Sequence, residues 1–461
     1  MNIDVDVAVI GGGTAGLVAA GVAQSLGAKT VLIERGRVGG ECLWTGCVPS
    51  KTLIKSAKVW ETVRGAEEFG VHHEKARLRW NAVKLRIAAV RDEIRDHEQQ
   101  QIRELGLETM RGDAQFLDAN TLRVETKDGT QTVRARKIIL AAGTKPRSPE
   151  IDGLANYLTY EDVYTLPNLP RRMIILGGGP VACEFAQAFA RFGTKVTILQ
   201  RDAGVLPLED EDVSAEALRI LKIAGVEVRL SSTVLEAGEE NGETWLRLED
   251  ETLRAAHVLA ATGKVCDLTG LNVEAAGVRW NERGVEIDAH LRASKTVWAC
   301  GDVVGAPYFT HRAEYQGRIA AQNALLPVRA KTSDHALPRV TYLDPEIASV
   351  GSSQGERVFK IAFASLDRAI IEGETQGFCK IVTGKSGRIV GASVVGANAG
   401  ELVALLAQCV RDGVLIQELG EAVFAYPTLA EIAHRAGQSY FTELLKQPLI
   451  KRVTTSLTRK R

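Results

Sequence analysis

This chain of 461 residues has no net charge, no long apolar run and few aromatic side chains. Lysine plus arginine equals aspartate plus glutamate at 57 each, and aromatic residues make up 5% of the sequence. A net charge of zero gives no bulk attraction to nucleic acid or to an anionic membrane. No apolar run is long enough to cross a bilayer. The acidic first six residues do not resemble a signal peptide, so we expect a cytoplasmic protein with neither a nucleic-acid nor a membrane partner.

Cysteine is also sparse, and only two of the seven cysteines lie close together. Cys42 and Cys47 are too far apart for a disulfide along a regular helix, because bridged Cα atoms lie within about 4.4–6.8 Å. The chain must therefore bend between them, which Gly46 makes easy. Pro49 fits the first turn of a helix, so Cys47 falls at a helix N-terminus with Lys51 one turn further on. Both features favour the thiolate and predict an exchangeable disulfide in a loop that runs into a helix.

Two other interpretations of the pair are a zinc half-site and two ordinary buried cysteines. Zinc sites usually combine a tighter cysteine spacing with a second pair or with histidines downstream, and the other cysteines form no such pair. Adjacent His72 and His73 on a predicted loop point apart, so we expect no metal site there. Scattered cysteines suit a reducing compartment, where a disulfide is more often catalytic than structural.

The N-terminal stretch carries a dinucleotide-binding fingerprint. A short apolar strand is followed by Gly11, Gly13 and Gly16, by a small-residue helix over 14–26, and by a second strand that ends at Glu34. The glycines allow a pyrophosphate to approach the backbone at the helix N-terminus, and Glu34 would accept hydrogen bonds from a ribose. The stretch predicts a first dinucleotide-binding domain.

The fingerprint recurs in the middle of the chain at Gly177, Gly179 and Ala182. In both copies a glycine ends the helix at the same interval, and this repetition is stronger evidence than either motif alone. The second copy has Gln200 and Arg201 where the first has its glutamate. Loss of the carboxylate and gain of a guanidinium favour NADPH over NADH, the alternative being a solvated arginine at a strand end.

Three further positions follow predicted strands and are assigned to the cofactor sites. Gly143 follows a buried strand over 137–142, and Gly263 follows one over 258–261. Asp302 lies at the carboxyl end of a third strand, where it can bind a ribityl or ribose hydroxyl.

The last third of the chain changes pattern. From about position 338, strands precede helices, which indicates a separate α+β domain. The basic tail over 451–461 is interpreted as a solvated end rather than a nucleic-acid-binding segment.

Together these stretches resemble the pyridine nucleotide-disulfide oxidoreductases over almost the full chain. The resemblance implies an α/β, glutathione reductase-like fold with two Rossmann-like dinucleotide-binding domains and a C-terminal α+β dimerisation domain. It also implies FAD, NAD(P)H and a homodimer whose active site is completed across the dimer. The expected domains are 1–147 and 265–333 for FAD, 148–264 for NAD(P)H, and 334–461 for dimerisation.

The resemblance assigns roles to four residues. By analogy with the family, Cys47 is the charge-transfer thiolate against the flavin, and Cys42 is the interchange thiol that meets the substrate. Glu184, on the helix of the second fingerprint, would pair with Lys51 beside the flavin.

The chain departs from the family pattern near its C-terminus. Tyr426 stands where the family usually has a histidine before Pro-Thr, although Glu431 is present. A phenol with a pKa near 10 does not replace histidine as the acid–base partner of the thiols. Mercuric reductase also carries tyrosine at this position. The present sequence, however, shows neither the C-terminal cysteine pair nor the N-terminal metal-binding domain that mercuric reductase usually has. His434, one turn after Glu431, is either a substitute for the histidine or a surface residue.

We therefore expect an FAD-dependent, NAD(P)H-oxidising reductase that acts on a small molecule or a metal ion, with mercuric-reductase-like activity as the specific hypothesis. The alternatives are a dihydrolipoamide dehydrogenase with weakened acid–base catalysis and a reductase of quinones. A hypothesis of another class is a non-catalytic, flavin-binding redox sensor.

Overall fold

The computed structural model describes residues 2–446 and Pro448, so the basic tail discussed above lies outside the described residues. The chain divides into two compact units. Unit 1 comprises Met1–Met173 and Leu235–Thr332, and unit 2 comprises Ile174–Val234 and Ser333–Arg461. The division into three domains with the boundaries given above stays a prediction.

The helices of the described residues are numbered α1 to α11 in chain order. They span Thr14–Ser25, Gly40–Trp44, Cys47–Arg64, Trp80–Glu104, Pro180–Arg191, Glu211–Ile223, Thr310–Leu325, Asp367–Glu372, Ala399–Asp412, Ile416–Glu421 and Glu431–Lys446. None of these helices is both long enough and apolar enough to span a membrane.

The strands of the described residues are numbered β1 to β23 in chain order. They span Asn2–Ile10, Thr30–Glu34, Glu108–Arg111, Asp113–Phe116, Thr121–Thr126, Gly129–Leu140, Lys145–Pro146, Arg172–Leu176, Lys195–Leu199, Glu227–Arg229, Glu236–Glu240, Glu243–Arg247, Thr252–Ala255, His257–Ala260, Lys264–Val265, Trp280–Asn281, Gly284–Val285, Val297–Ala299, Arg339–Thr341, Glu346–Gly351, Arg357–Ala362, Phe378–Thr383 and Ile389–Gly396.

Unit 1 is built on one sheet with the order β3-β2-β1-β6-β5-β4, and β18 also pairs with β6. β1 runs parallel to β2 and β6, and its C-terminal half is buried because helices cover a parallel sheet. α1 and α7 pack closely together: a Cβ on Gly317 would lie 2.4 Å from the carbonyl oxygen of Ala15. This close approach explains the small residues of α1. The sheet therefore brings the carboxyl ends of β1, β2, β6 and β18 to one edge, where ligands bind in such folds.

Two features of unit 1 differ from the sequence-based expectation. The predicted strand over 137–142 is only the C-terminal part of the longer strand β6, which pairs with β1 along most of its length. A three-stranded antiparallel sheet, β11-β12-β13, was not predicted.

Unit 2 contains the second fingerprint and the C-terminal α+β part. β10, β9 and β8 are neighbours in one sheet, and α5 follows β8. A separate antiparallel sheet has the order β19-β20-β23-β22-β21. The interior strand β20 was missed in the sequence because a serine interrupts its short apolar run and its residues show no alternation. Its serine is nevertheless buried and its hydroxyl lies 3.2 Å from that of Ser393, so a cross-strand polar contact satisfies it.

Candidate active site

The predicted redox-active pair lies where two helices meet in unit 1. Cys42 lies within the short helix α2, where the sequence predicts a loop, and Cys47 is the first residue of α3. The predicted bend is present: the N–H of Gly46 donates to the carbonyl oxygen of Glu41 at 2.6 Å. A Cβ at Gly46 would lie 3.0 Å from that oxygen. Because the φ of Gly46 is −97°, this close approach, and not a left-handed backbone, favours glycine there.

The two cysteines share a hydroxyl group from a distant helix. The Cys42 thiol hydrogen-bonds to Cys47, and Cys47 Sγ lies 3.2 Å from Oγ1 of Thr310, the first residue of α7. The hydrogen bond to Cys47, burial and the charge of Cys47 raise the pKa of Cys42, whereas the Thr310 hydroxyl lowers it. These contacts favour the protonated form of Cys42. No local motif identifies Thr310, and the sequence analysis missed it.

Thr310→Val is expected to raise the pKa of Cys42, because valine keeps the shape of threonine without the hydroxyl. Loss of one hydrogen bond of this kind corresponds to about one pKa unit. In the fully reduced protein, the pH profile of Cys42 alkylation should therefore move upward by about one unit, as measured by mass spectrometry of the Cys42 peptide. Thr310→Ser keeps the hydroxyl and should follow the wild-type profile. A valine variant with an unchanged profile would contradict the role of the hydroxyl.

A carboxyl group from α4 lies beside the same loop. Oε2 of Glu98 is buried, has no hydrogen-bond partner among the described residues, and would lie 3.1 Å from a Cβ at Gly39. Burial raises the pKa of Glu98, and its charge further raises the pKa of Cys42. Glu98 lies in a long charged helix without a motif, so only the fold reveals its proximity to the cysteine loop.

The first glycine turn lies directly against the cysteine loop. Gly39 donates its N–H to the carbonyl oxygen of Gly12 at 2.8 Å, and a Cβ on Gly40 would lie 2.5 Å from the Cα of Gly13. Gly13 is the residue preceding α1, and a Cβ on it would meet nothing closer than 3.8 Å. The predicted pyrophosphate turn and the predicted redox loop are therefore neighbours in unit 1.

The other residues of the first fingerprint surround this turn. A Cβ on Gly11 would lie 2.3 Å from the carbonyl oxygen of Ala141, and one on Gly16 would lie 1.8 Å from that of Gly11. These two glycines are thus required by the close packing of the backbone itself. The Glu34 carboxylate accepts hydrogen bonds from the N–H of Gly12 and from that of Gly36, each at 2.6 Å. It lies at the carboxyl end of β2, as the fingerprint predicts.

The remaining predicted positions of the first site lie at strand ends. Asp302 follows β18, and its Oδ2 lies 3.2 Å from Nζ of Lys264. Gly143 and Gly263 have φ values of 70° and 110°, in the region that favours glycine, and a Cβ on either would face open space. Lys264 was missed as a site residue, although it directly follows Gly263 in the sequence.

The second glycine turn has the same local design in unit 2. Gly177 has a φ of 105°, Gly179 precedes α5, and Ala182 is fully buried. Gln200 is buried beside the turn, since a Cβ on Gly178 would lie 3.0 Å from its side chain. Gln200 therefore occupies the place that Glu34 has in the first copy.

The rim of this second site carries one charge of each sign. The Gln200 amide donates to Asp202 Oδ2 at 2.8 Å and to the carbonyl oxygen of Gly204 at 3.3 Å. Arg201 between them is exposed. The guanidinium is thus accessible at the carboxyl end of β9, next to a carboxylate held by Gln200.

The predicted partners Lys51 and Glu184 belong to different units. Lys51 lies on α3, one turn after Cys47. Glu184 lies on α5, is buried, and accepts the N–H of Tyr342 at 2.9 Å. Their ion pair stays a prediction.

The C-terminal residues are engaged in contacts within unit 2. The hydroxyl of Tyr426 donates to Asp367 Oδ2 at 2.8 Å, and this hydrogen bond raises the pKa of Tyr426. The Glu431 carboxylate accepts a hydrogen bond from Arg435 Nε at 2.8 Å through Oε1. Its Oε2 is buried without a hydrogen-bond partner among the described residues.

His434 is held by other groups. Its ring stacks on Phe424 with centroids 5.3 Å apart, and its Nδ1 lies 3.4 Å from the carbonyl oxygen of Leu419. These contacts favour the interpretation of His434 as a packing residue rather than a substitute acid–base group. Within residues 2–446 and Pro448, no group of three or more His, Cys, Asp or Glu side chains could hold a metal ion.

Comparison with known proteins agrees with this arrangement. Residues 5–317 match the family described as pyridine nucleotide-disulphide oxidoreductase, and residues 337–436 match its dimerisation domain. A dihydrolipoyl dehydrogenase of Geobacillus stearothermophilus is 33% identical over 454 residues, covering 95% of this chain and 96% of the relative. A mercuric reductase of Streptomyces lividans is 32% identical over 462 residues, covering 96% and 97%.

Solved structures show the same fold. The HOCl-induced flavoprotein disulfide reductase RclA from Escherichia coli, in its Cu(II) complex, superposes with a TM-score of 0.85 at 26% identity, over 95% of this chain and all of RclA. LpdA from Mycobacterium tuberculosis superposes with a TM-score of 0.88 at 26% identity, over 94% and 99%. The predicted fold class, the enzyme class and the cofactors FAD and NAD(P)H are confirmed, and the dimerisation domain supports a homodimer. The chain belongs to the pyridine nucleotide-disulfide oxidoreductases, the NAD(P)H-dependent flavoprotein disulfide reductases.

Proposed function

We propose that this enzyme uses NADPH to reduce a soft metal ion through FAD and the Cys42–Cys47 pair, with a mercuric-reductase-like activity. The observation that carries the proposal is the state of Tyr426, which is bound to Asp367 and whose pKa is raised by that contact. The usual acid–base partner of a dithiol is therefore missing. A thiolate pair needs no proton donor to bind a soft metal ion.

The residues around the first glycine turn fit FAD. A Cβ on Gly13 would meet nothing closer than 3.8 Å, and the Gly12 N–H and the Glu34 carboxylate lie together where a ribose and a pyrophosphate bind in such turns. We infer that Gly11, Gly13, Gly16, Glu34 and Asp302 hold the cofactor, with Gly143 nearby. When bound, FAD supplies the two-electron transfer between the nicotinamide and the disulfide.

The two cysteines have different roles in the reduction. When the S–S bond is broken by two electrons and one proton, Cys47 becomes the thiolate and Cys42 the thiol. The contacts that raise the pKa of Cys42 support this order. The Cys42 thiol loses its proton when both sulfurs bind the metal ion. We infer that Tyr426 and Glu431 complete the site from the other subunit of a homodimer.

The proton balance also distinguishes the candidate substrates. Reduction of Hg²⁺ by NADPH yields Hg⁰, NADP⁺ and H⁺, so the metal product takes up no proton, and small thiols that deliver Hg²⁺ are released by ligand exchange and take their protons from solvent. Reduction of a disulfide by NADPH consumes one proton and forms two thiols. The weak acid–base equipment around Tyr426 is therefore compatible with the first reaction and slows the second.

NADPH oxidation with different acceptors tests the proposal. Hg(II), supplied as its complex with excess small thiol, should support turnover, whereas lipoamide, glutathione disulfide and quinones should be at least about ten times slower. Rapid turnover with lipoamide and none with Hg(II) would reject the metal-ion hypothesis. It would favour dihydrolipoamide dehydrogenase activity, the second candidate, which the similarity to dihydrolipoyl dehydrogenases supports.

The preference for NADPH is expected to depend on the rim of the second site. The double variant with Gln200→Glu and Arg201→Ala removes the guanidinium and restores a carboxylate, so the ratio of kcat/KM for NADPH to that for NADH should fall at least about tenfold. Arg171→Ala is a matched control, because Arg171 is exposed before the amino end of β8, the end opposite the nucleotide. An unchanged ratio in the double variant would remove the assignment to NADPH.

A further inference from the structure

We propose that Lys264 is a positioning residue that couples the flavin site to the cysteine pair, because its ammonium group joins the carboxylate of Asp302 to that of Glu41, the residue before Cys42. The inference rests on the proposed function through the assignment of Asp302 to FAD. All of these residues belong to unit 1.

The contacts of Lys264 are short and mostly shielded from solvent. Its Nζ lies 2.6 Å from Glu41 Oε1 and 3.2 Å from Asp302 Oδ2. The three side chains are 16%, 29% and 21% exposed for Lys264, Glu41 and Asp302. The backbone of Lys264 is held as well, since it pairs with Pro146 in the β7–β15 ladder. The lysine is therefore held in place both by its backbone and by the ion pairs of its ammonium group.

Two aromatic rings surround the same ammonium. The ring centroids of Tyr160 and Tyr308 lie 5.6 Å and 5.7 Å from Nζ of Lys264, within the range of cation–π attraction. The two carboxylates outweigh burial and raise the pKa of Lys264, so its charge persists at neutral pH. Such an enclosed charge is screened little by salt.

The geometry makes the two carboxylates dependent on one cation. Without the ammonium, Glu41 and Asp302 would be two partly buried like charges around the same point, which repel each other. An ionised carboxylate has about four acceptor positions, so Asp302 can accept from Lys264 and from a flavin hydroxyl together. Binding at Asp302 and the position of Glu41 are thus linked through Lys264.

The link reaches the sulfur because Glu41 and Cys42 are consecutive residues of the short helix α2. A displacement of the Glu41 side chain is transmitted to a helix of five residues that also abuts the first glycine turn. By reciprocity, if the position of Glu41 alters flavin affinity through Lys264, flavin binding must alter the position of Glu41 by the same free energy. A salt bridge with a purely structural role would lower stability without linking the two sites.

The experiment measures FAD affinity and Cys42 reactivity in flavin-free protein. FAD binding is followed by quenching of flavin fluorescence, and Cys42 reactivity by its alkylation rate in the reduced apoprotein. Lys264→Met should weaken FAD binding roughly 30-fold and change the Cys42 alkylation rate at least about threefold. Lys264→Arg keeps the charge and should recover most of both values.

A double-mutant comparison tests whether Glu41 influences FAD binding through Lys264. Glu41→Gln should weaken FAD binding roughly fivefold in the wild-type background and have almost no effect in the Lys264→Met background. Lys145→Met is the matched control: Lys145 is in the partner strand and is paired with Asp267 at 2.5 Å, but it is 59% exposed. It should leave both measurements at the wild-type values.

Several results would overturn the coupling. They are wild-type FAD affinity in Lys264→Met, additive losses from Glu41→Gln and Lys264→Met, or lowered thermal stability with both measurements unchanged. If Lys264→Met does not fold, an unchanged FAD affinity in Glu41→Gln overturns the proposal on its own. Failure of the proposed function is a different result, because the wild-type enzyme would then not turn over Hg(II), whereas its FAD affinity and Cys42 alkylation rate would be unaffected.

Discussion

Replacement of Cys42 by serine is expected to lower the reduction of every thiol-dependent acceptor by about 10³-fold or more, because the sulfur proposed to attack or bind the acceptor is lost. The same variant should still accept electrons from NADPH when loaded with FAD, since Cys47 and the nucleotide sites are unchanged. Its remaining Cys47 thiolate should give a long-wavelength absorption band with the oxidised flavin. Stopped-flow spectra and steady-state rates measure the two effects separately.

The cysteine variants differ in a way that the thiol contacts predict. Cys47→Ser removes the negative charge and the hydrogen bond that raise the pKa of Cys42, so Cys42 should alkylate at lower pH than in the reduced wild type. It should also lack the long-wavelength band. Cys409→Ala changes a buried cysteine of unit 2 and serves as the control. Full activity in Cys42→Ser would mean that the acceptor takes electrons directly from the flavin.

Tyr426→His is expected to increase the reduction of lipoamide or glutathione disulfide by about 10- to 100-fold, because a positioned acid–base group contributes about 10²–10⁴-fold. The imidazole has an ordinary pKa near 6.5, whereas contact with Asp367 raises the pKa of the present phenol above its ordinary value near 10. The buried Oε2 of Glu431 has no hydrogen-bond partner among the described residues, and its charge already acts on Tyr426. A carboxylate of this kind can orient an imidazole.

The controls for this variant separate two explanations. Tyr426→Phe removes the bond to Asp367 without adding an acid–base group, so disulfide reduction should stay at the wild-type level. The gain in Tyr426→His should follow a pH profile near the imidazole pKa, with pH-dependent steady-state rates as the measurement. No gain, or an equal gain in both variants, would show that the tyrosine is not what limits disulfide reduction.

Much of the fold could be predicted because its signals are local. A glycine turn followed by small residues specifies the start of α1, and the last third of the chain has the predicted strands that precede the helices α9 to α11. Strand β20 was not recognised, since residues 347–350 are all buried and its two faces therefore show no alternation of apolar and polar residues. Periodicity reports a strand only where one face meets solvent.

The residues of the candidate site also fall into those that the sequence reveals and those that only the fold reveals. Cys42, Cys47 and the two fingerprints lie in continuous stretches, so residue types and spacing alone revealed them. Thr310 is 263 positions from Cys47, and no pattern in the chain indicates their contact. The same holds for Glu98 and for the ion pairs of Lys264.

The sequence by itself determined the enzyme family and located both nucleotide motifs and the predicted redox-active cysteines, because each depends on residues close together in the chain. Only the tertiary structure decided which proton the cysteine pair keeps, what holds Tyr426, and which cation lies between Glu41 and Asp302. These properties arise from burial and from charges that distant segments bring within a few ångströms. Electrostatic effects depend on separation in space, which chain order does not encode.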